Sequence, residues 1–273
     1  MGARIKLYPF SNVAATGLAT CDLNGLLGYS IERLILNLGG TFTKSMITSI
    51  QLKANGKIIY DTDGAKLQAR NDYRGIAANA NFLVLDFSEI RAKTELGQNL
   101  GAIDTTAGIQ NLKLEVMISG ATSPTLIGFA EVNRPQIDQA QAMTRTLIAK
   151  VHRSTQTIGA AGSFNLAVPH LSPSEGGSMF KRIAIFSANM TALNIKKNGI
   201  VIEDSTKALN DFNQGEYRKV PQAGLYMYDT IVDDNQSQVL NTRDAQTMEF
   251  TGTFSAGETV TIEVEVLEPL AAF

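Results

Sequence analysis

The side chains with the widest chemical reach are few: Cys21, His152 and His170. A single cysteine supplies neither an intrachain disulfide nor a multi-cysteine zinc site. Cys21 lies in LATCDLNG, which reads as a strand, where a lone thiol behaves as a small, semi-buried hydrophobe. A nucleophile would need a depressed pKa, and nothing around it signals one. His152, in LIAKVHRS, reads as a strand or strand-end histidine, and His170 follows Pro169 in a loop. Neither has a paired Cys or a carboxylate at fixed spacing. Asp61-Thr62-Asp63-Gly64 opens like a calcium loop but lacks the later ligands and the closing Glu. Its counterpart Asp204-Ser205-Thr206 loses the second carboxylate, so both read as helix N-caps. Asp233-Asp234-Asn235 reads as a solvated turn rather than an ion site. Arg145, Lys150 and Arg153 form one mild basic cluster, a solvated face that could touch a phosphate. Phosphate-loop, dinucleotide and nucleophile-elbow motifs are absent. The expectation is no catalytic residue, no cofactor and no bound transition metal.

The elements that would carry these residues are strands. Ile31, Leu34, Leu36 and Leu38 mark one strand in SIERLILNL, and FLVLDF at 82–87 marks another. LKLEVMI at 112–118 and TVTIEVEVL at 259–267 alternate, the latter placing Val260, Ile262, Val264 and Val266 on one face. Period-two patterns of this length mark half-buried antiparallel strands. Short helices are predicted over Thr62 to Tyr73 and Asp204 to Phe212. Asp138 to Lys150 favours helix at its start and strand from Leu147. Thr155 to Phe164 and Pro169 to Gly177 read as loops.

The most informative feature is an internal repeat. ITSIQLKANG at 47–56 returns as MTALNIKKNG at 190–199, an offset of 143. The same offset matches Asp61 with Asp204, Ala65 with Ala208, and Asp86 with Asp229. Glu32-Arg33-Leu34-Ile35-Leu36 resembles Lys181-Arg182-Ile183-Ala184-Ile185, and Leu112 to Val116 is matched with Val260 to Val264. A period this long is a domain, not a solenoid repeat. The fold expected is all-β, two tandem eight-stranded jelly rolls with short helices in the loops, divided as 1–135 and 136–273 after Arg134-Pro135. Asn55-Gly56 and Asn198-Gly199 are expected in equivalent hairpin turns, since a type I′ turn needs positive φ at both residues.

Composition narrows the function. Charged residues are 18% of the chain, against about 25% in soluble domains, so much of the surface is expected to face other protein. A net charge of −2 leaves no basic footprint for nucleic acid. No apolar run reaches the length of a membrane span, and Met1 to Ser11 lacks the apolar core of a signal peptide, so synthesis in a reducing compartment is expected. With no Trp and 7% aromatics, a stacking platform for sugars or single strands would be thin.

These residues resemble a known family. Tandem β-domains of near-equal size, a helix after each Asn-Gly hairpin and no active site are similar to the double jelly-roll major capsid proteins of membrane-containing viruses. The corticovirus-type coat protein is the closest in kind. The likeness rests on Asn12-Val13-Ala14-Ala15, the Ile31 to Leu34 strand, the Ile50 to Gly56 hairpin, Arg182 to Ile185, and Ala192 to Gly199. The resemblance implies upright strands and a homotrimer of six rolls that tiles an icosahedral shell around a lipid bilayer and double-stranded DNA. It also implies vertex-protein partners, assembly in the host cytoplasm and residence in the virion. The alternative reading is a tandem β-sandwich carbohydrate- or receptor-binding module of a phage. An enzyme on a β-sandwich lacks a nucleophile–base pair.

Overall fold

A computed structural model describes residues 2–76, 79–92, 94–106, 108–133 and 147–269. The first half contains β1 (Ala3–Lys6), β2 (Gly17–Asp22), β3 (Ser30–Gly39), β4 (Ile47–Ala54), β5 (Lys57–Thr62), β6 (Phe82–Asp86), β7 (Ile103–Asp104), β8 (Leu112–Ile118) and β9 (Thr125–Asn133). Helix α1 (Gly64–Tyr73) joins β5 to β6, and α2 (Glu95–Asn99) precedes β7. The second half contains β10 (Leu147–Ile158), β11 (Gly162–Asn165), β12 (Met179–Phe186), β13 (Met190–Lys197), β14 (Ile200–Thr206), β15 (Leu225–Asp229), β16 (Leu240–Asn241), β17 (Met248–Phe254) and β18 (Glu258–Pro269). Helix α3 (Lys207–Glu216) joins β14 to β15.

Each strand of the first half has a counterpart nine strands later, and the pairings repeat. β9 lies between β1 and β3, as β18 lies between β10 and β12. β6 and β7 flank β3, as β15 and β16 flank β12. β8 lies between β2 and β4, and β4 pairs with β5; β17 lies between β11 and β13, and β13 pairs with β14. Each half is therefore two facing four-stranded sheets with a two-residue extra strand, a jelly roll. Even the irregularities repeat. A bulge falls between Ile31 and Arg33 on β3 and between Phe180 and Arg182 on β12.

Alternation fixes which side chains face inward. Leu34, Leu36 and Leu38 fill one core with Leu52, Leu114 and Val116. Ile183, Ile185, Val260, Ile262 and Val264 fill the other with Leu193 and Phe250. Among the described residues the rolls are joined by two parallel bridges, Val151 opposite Tyr60 and Ile148 opposite Gly101, and Ile148, Val151 and Leu267 pack into the first core.

Three expectations are corrected. Leu112 to Val116 corresponds to β17, not to Val260 to Val264, because β8 pairs with β2 and β4; the counterpart of β18 is β9. Alternation alone does not tell one sheet of a sandwich from the other. Thr155 to Phe164 is a loop only in its middle: β10 runs to Ile158 along the whole length of β18, and β11 starts at Gly162. The helices start later than predicted, at Gly64 and Lys207, because Thr62 and Thr206 still end strands. Of Asp138 to Lys150, the described part, from Leu147, is strand.

At the two hairpins, Asn55 and Asn198 have φ of 50° and 51°, followed by Gly56 at 81° and Gly199 at 77°. Each Asn also works as a clamp. The Asn55 carboxamide oxygen accepts from Gln110 N and Asn111 N, and its Nδ2 donates to Gly108 O. Asn198 repeats this with Gln246 N, Thr247 N and Asp244 O. Asn55→Ala or Asn198→Ala should cost about 2 kcal/mol, from lost bonds plus a left-handed backbone without Asn. Asn→Gly should lose less, since only the clamp goes. Urea denaturation of the four variants checks the ordering.

Candidate functional site

The residues singled out for chemistry are dispersed. Cys21 is buried, donates to Tyr8 O at 3.2 Å, and has its thiol pushed up to about 11 by burial and the neighbouring Asp22. His170 bonds Val168 O through Nδ1 at 2.9 Å and leans on Phe180 and Phe250. Asp63 caps α1 by accepting from Lys66 N, and Thr206 caps α3 by accepting from Leu209 N. Asp233 accepts from Asn235 N within its turn, and Asp234 takes the Lys219 ammonium at 2.6 Å. No group of three metal-ligating side chains occurs among the described residues.

The basic cluster is corrected. Lys150 is fully buried at 3.5 Å from Glu268, and Arg153 pairs with Asp63, so neither belongs to a solvated basic face; Arg145 lies outside the described residues. Glu268 also receives His152 Nε2 at 2.9 Å and the Ser178 hydroxyl, a grouping the sequence reading missed. This is not a nucleophile–base relay. The carboxylate stands between Ser and His, and burial would raise its pKa, but His152, Ser178 and Lys150 outweigh that and hold it low. Ser178 has no exposed surface. A hydrolytic serine needs an open site and a basic imidazole at its Oγ.

The main concentration of charge lies between the rolls. Helix α1 leaves β5 at Gly64, where a Cβ would sit 2.1 Å from Lys44 O, so the close approach there requires glycine. Its outer face lies on the surface of β12, β15 and β18 that points away from the second core. Ala69 and Tyr73 pack against Ala184, Leu225 and Met227. Arg70 Nη1 donates to Glu265 at 2.9 Å, and its Nε lies 3.2 Å from Glu263. The Tyr73 hydroxyl donates to Asp229 at 3.0 Å. Arg182 is the hub: Nε to Asp229 at 3.0 Å, and Nη1 to Glu89 at 2.7 Å and Glu265 at 3.0 Å. The repeated bulge turns both Lys181 and Arg182 outward, and Lys181 reaches Glu89 at 2.6 Å. Burial pushes the Glu265 carboxyl up, but Arg182, Arg70, Arg74 and Lys181 together outweigh it and hold it at about 2. Glu89 is held well below the usual range by the same balance. Asp86 and Glu263 move the other way, raised by burial that their arginines only partly offset.

The sequence pattern gave Glu263 and Glu265 as the wet face of a half-buried strand. They are buried because a second domain covers that face. Lys181-Arg182 on one strand opposite Glu-x-Glu on another was the available signal.

The first roll repeats the centre of this arrangement under a thinner cover: Arg74, at the end of α1, reaches Asp86 at 2.9 Å, and Arg4 reaches Glu131 at 2.6 Å. Arg33 lies opposite Asp86 and Glu131 in the ladder, as Arg182 lies opposite Asp229 and Glu265. Arg33 Nη1 reaches Glu131 at 3.2 Å, and Arg33 Nε is buried with no hydrogen-bond partner among the described residues. In the second roll α3, the counterpart of α1, leaves Phe212 66% and Leu209 57% exposed, beside exposed Val201 and Ile202 of β14. A groove of about 480 Å³ runs between that strand and helix.

Two jelly rolls fused through a buried charged seam, each with a helix between its fifth and sixth strands, are a double jelly roll, the architecture of viral shell proteins. The major capsid protein P2 from Bacteriophage PM2 superposes with a TM-score of 0.88 at 18% identity, covering 100% of both chains. The STIV MCP gives 0.70 at 15% identity, again over 100% of both chains. The PBCV-1 virus capsid protein gives 0.61 at 11% identity, over 97% of this chain and 92% of that one. No curated protein matches by sequence. Family profiles identify the chain itself: viral coat protein P2 N-terminal domain matches residues 4–133, and viral coat protein P2 C-terminal domain matches 148–270. The chain belongs to the viral coat protein P2 family. It is a major capsid protein, and its place is the virion shell.

Proposed function

We propose that this coat protein works as a head-to-tail homotrimer whose six rolls make a pseudo-hexagonal tile of an icosahedral shell. Membership of the coat protein P2 family carries the reading, and the repeated fold supports it. Roll one of a subunit offers the next subunit's roll two a neighbour like its own, and such a heterologous contact closes into a ring at a third of a turn. The low charged fraction fits broad contact surfaces. The virus of this reading is an icosahedral, membrane-containing, double-stranded DNA virus or bacteriophage. The tile would neighbour the internal membrane and the vertex proteins, assemble in the host cytoplasm and read no nucleic-acid sequence. It would have no enzymatic turnover and need no cofactor. The rolls are proposed to divide at residues 135 and 136.

The test is size-exclusion chromatography with light scattering at micromolar protein, followed by electron microscopy of the peak. A trimer with hexagonal outline is expected. A stable monomer, or a twofold dimer, would sink the tile and favour a tandem binding module.

A further inference from the structure

The contact inside one subunit is a template for the contact between subunits. Within the chain, α1 of the first roll covers the outward face of β12, β15 and β18 of the second. The counterpart helix α3 exposes Leu209 and Phe212, and the counterpart face, on β3, β6 and β9, exposes Phe82 and Ile127, while Arg74 at the end of α1 caps its Asp86. The substitutions on the two sides match one another. Where the covered face carries Glu263, the open face carries Phe129, and where α1 carries Arg70, α3 carries Asn213. The ion pair is replaced on both sides together. Where α1 carries Lys66, α3 carries the exposed Leu209, and where β18 carries Thr261, β9 carries the exposed Ile127. Leu225 is replaced by Phe82, which is 40% exposed. One position reverses this trend, and it lies where a charge is wanted. Tyr73, whose hydroxyl touches the Asp229 oxygen that serves Arg182 Nε, becomes exposed Glu216, while Arg33 Nε is buried with no hydrogen-bond partner among the described residues.

We propose that α3 of one subunit seats on the outward face of β3, β6 and β9 in a second copy of this chain. Phe212 then packs over Ile35, Phe82 and Phe129, and the Glu216 carboxylate accepts from Arg33. The contact repeats the intramolecular seam with an apolar centre in place of the charged one. The inference rests on the head-to-tail ring proposed above and assigns its surfaces.

The test uses the full-length chain. Phe212→Asp and Glu216→Arg alter exposed side chains, so each variant should keep the wild-type circular dichroism spectrum. At a micromolar concentration where wild type is trimeric by light scattering, both variants should run as monomers, and Phe212→Leu should remain trimeric. Independently, Ile35→Cys with Phe212→Cys should give covalent dimers and trimers on oxidation, seen on a non-reducing gel and absent from either single variant. A wild-type trimer whose variants all stay trimeric and whose cysteine pair does not cross-link would overturn this surface and leave the ring standing. A wild-type monomer throughout would overturn the ring and this surface with it.

Discussion

Arg182→Ala should destabilise the folded chain by roughly 3–5 kcal/mol, the cost of removing one partner from a buried ion network. The side chain is 1% exposed and holds Asp229, Glu89 and Glu265 at once. Truncation leaves three carboxylates facing one another with their central guanidinium gone. Arg182→Lys keeps the charge but loses the forked geometry, so it should fall between alanine and wild type. The deficit should shrink in acid. Carboxylates left without Arg182 take up protons more readily than in wild type, which relieves the penalty. Guanidinium denaturation at neutral pH and at about pH 4 measures both effects. A loss below about 1 kcal/mol at neutral pH would class the network with surface ion pairs.

Acid unfolding should be the second large effect, and its window follows from opposed shifts. Glu265 is held at about 2 in the fold, against roughly 4.3 for a free glutamate. A depressed carboxylate stabilises above its unfolded value and loses that contribution as pH falls through the folded one. Glu265 alone therefore carries about 3 kcal/mol that disappears between about pH 4.5 and 2. Glu89 acts in the same direction. Asp86 and Glu263 are raised, so the fold binds their protons more tightly than the unfolded chain. As pH falls from neutral they add stability, until the unfolded carboxyls protonate as well. Stability should thus hold or rise slightly down to about pH 5 and collapse below about 4. Glu265→Gln should flatten the acid limb. A transition midpoint that loses most of its value between about pH 7 and 5 would contradict the assignment.

Much of the fold was legible because its main determinant is local. Leu34, Leu36 and Leu38, or Val260, Ile262 and Val264, declare an inward face by alternation. Asn-Gly followed by an apolar pair and Asp declares the same hairpin twice at a constant offset. The roll-to-roll relation was not local. Glu263 and Glu265 look like any solvated strand face until α1 is known to cover them, and α1 is about 200 residues away in sequence. The Arg33–Asp86–Glu131 centre was hidden for a second reason. Its members come from three strands whose offsets to the second copy differ, because loop lengths differ, so only Asp86 fell on the constant offset. Thr155 to Phe164 was misread because Gly159 and Gly162 signal a turn but not how short it is. That length is set by β18, which β10 follows to its end. Asn55 and Asn198 were read as turn formers. Their clamps on the segments before β8 and β17 depend on spatial proximity that no dipeptide encodes.

The rung between Val151 and Tyr60 has a mechanical consequence. It makes one hydrogen-bonded ribbon of eight strands, from β15 at one end through β12, β18, β10, β5, β4 and β8 to β2 at the other. A load applied to one roll is passed to the next along backbone, and α1 braces the ribbon beside the crossing point. A subunit built in this way is a stiff plank rather than two beads on a string. In a lattice of such planks, curvature is taken up at the joints between them rather than within each one.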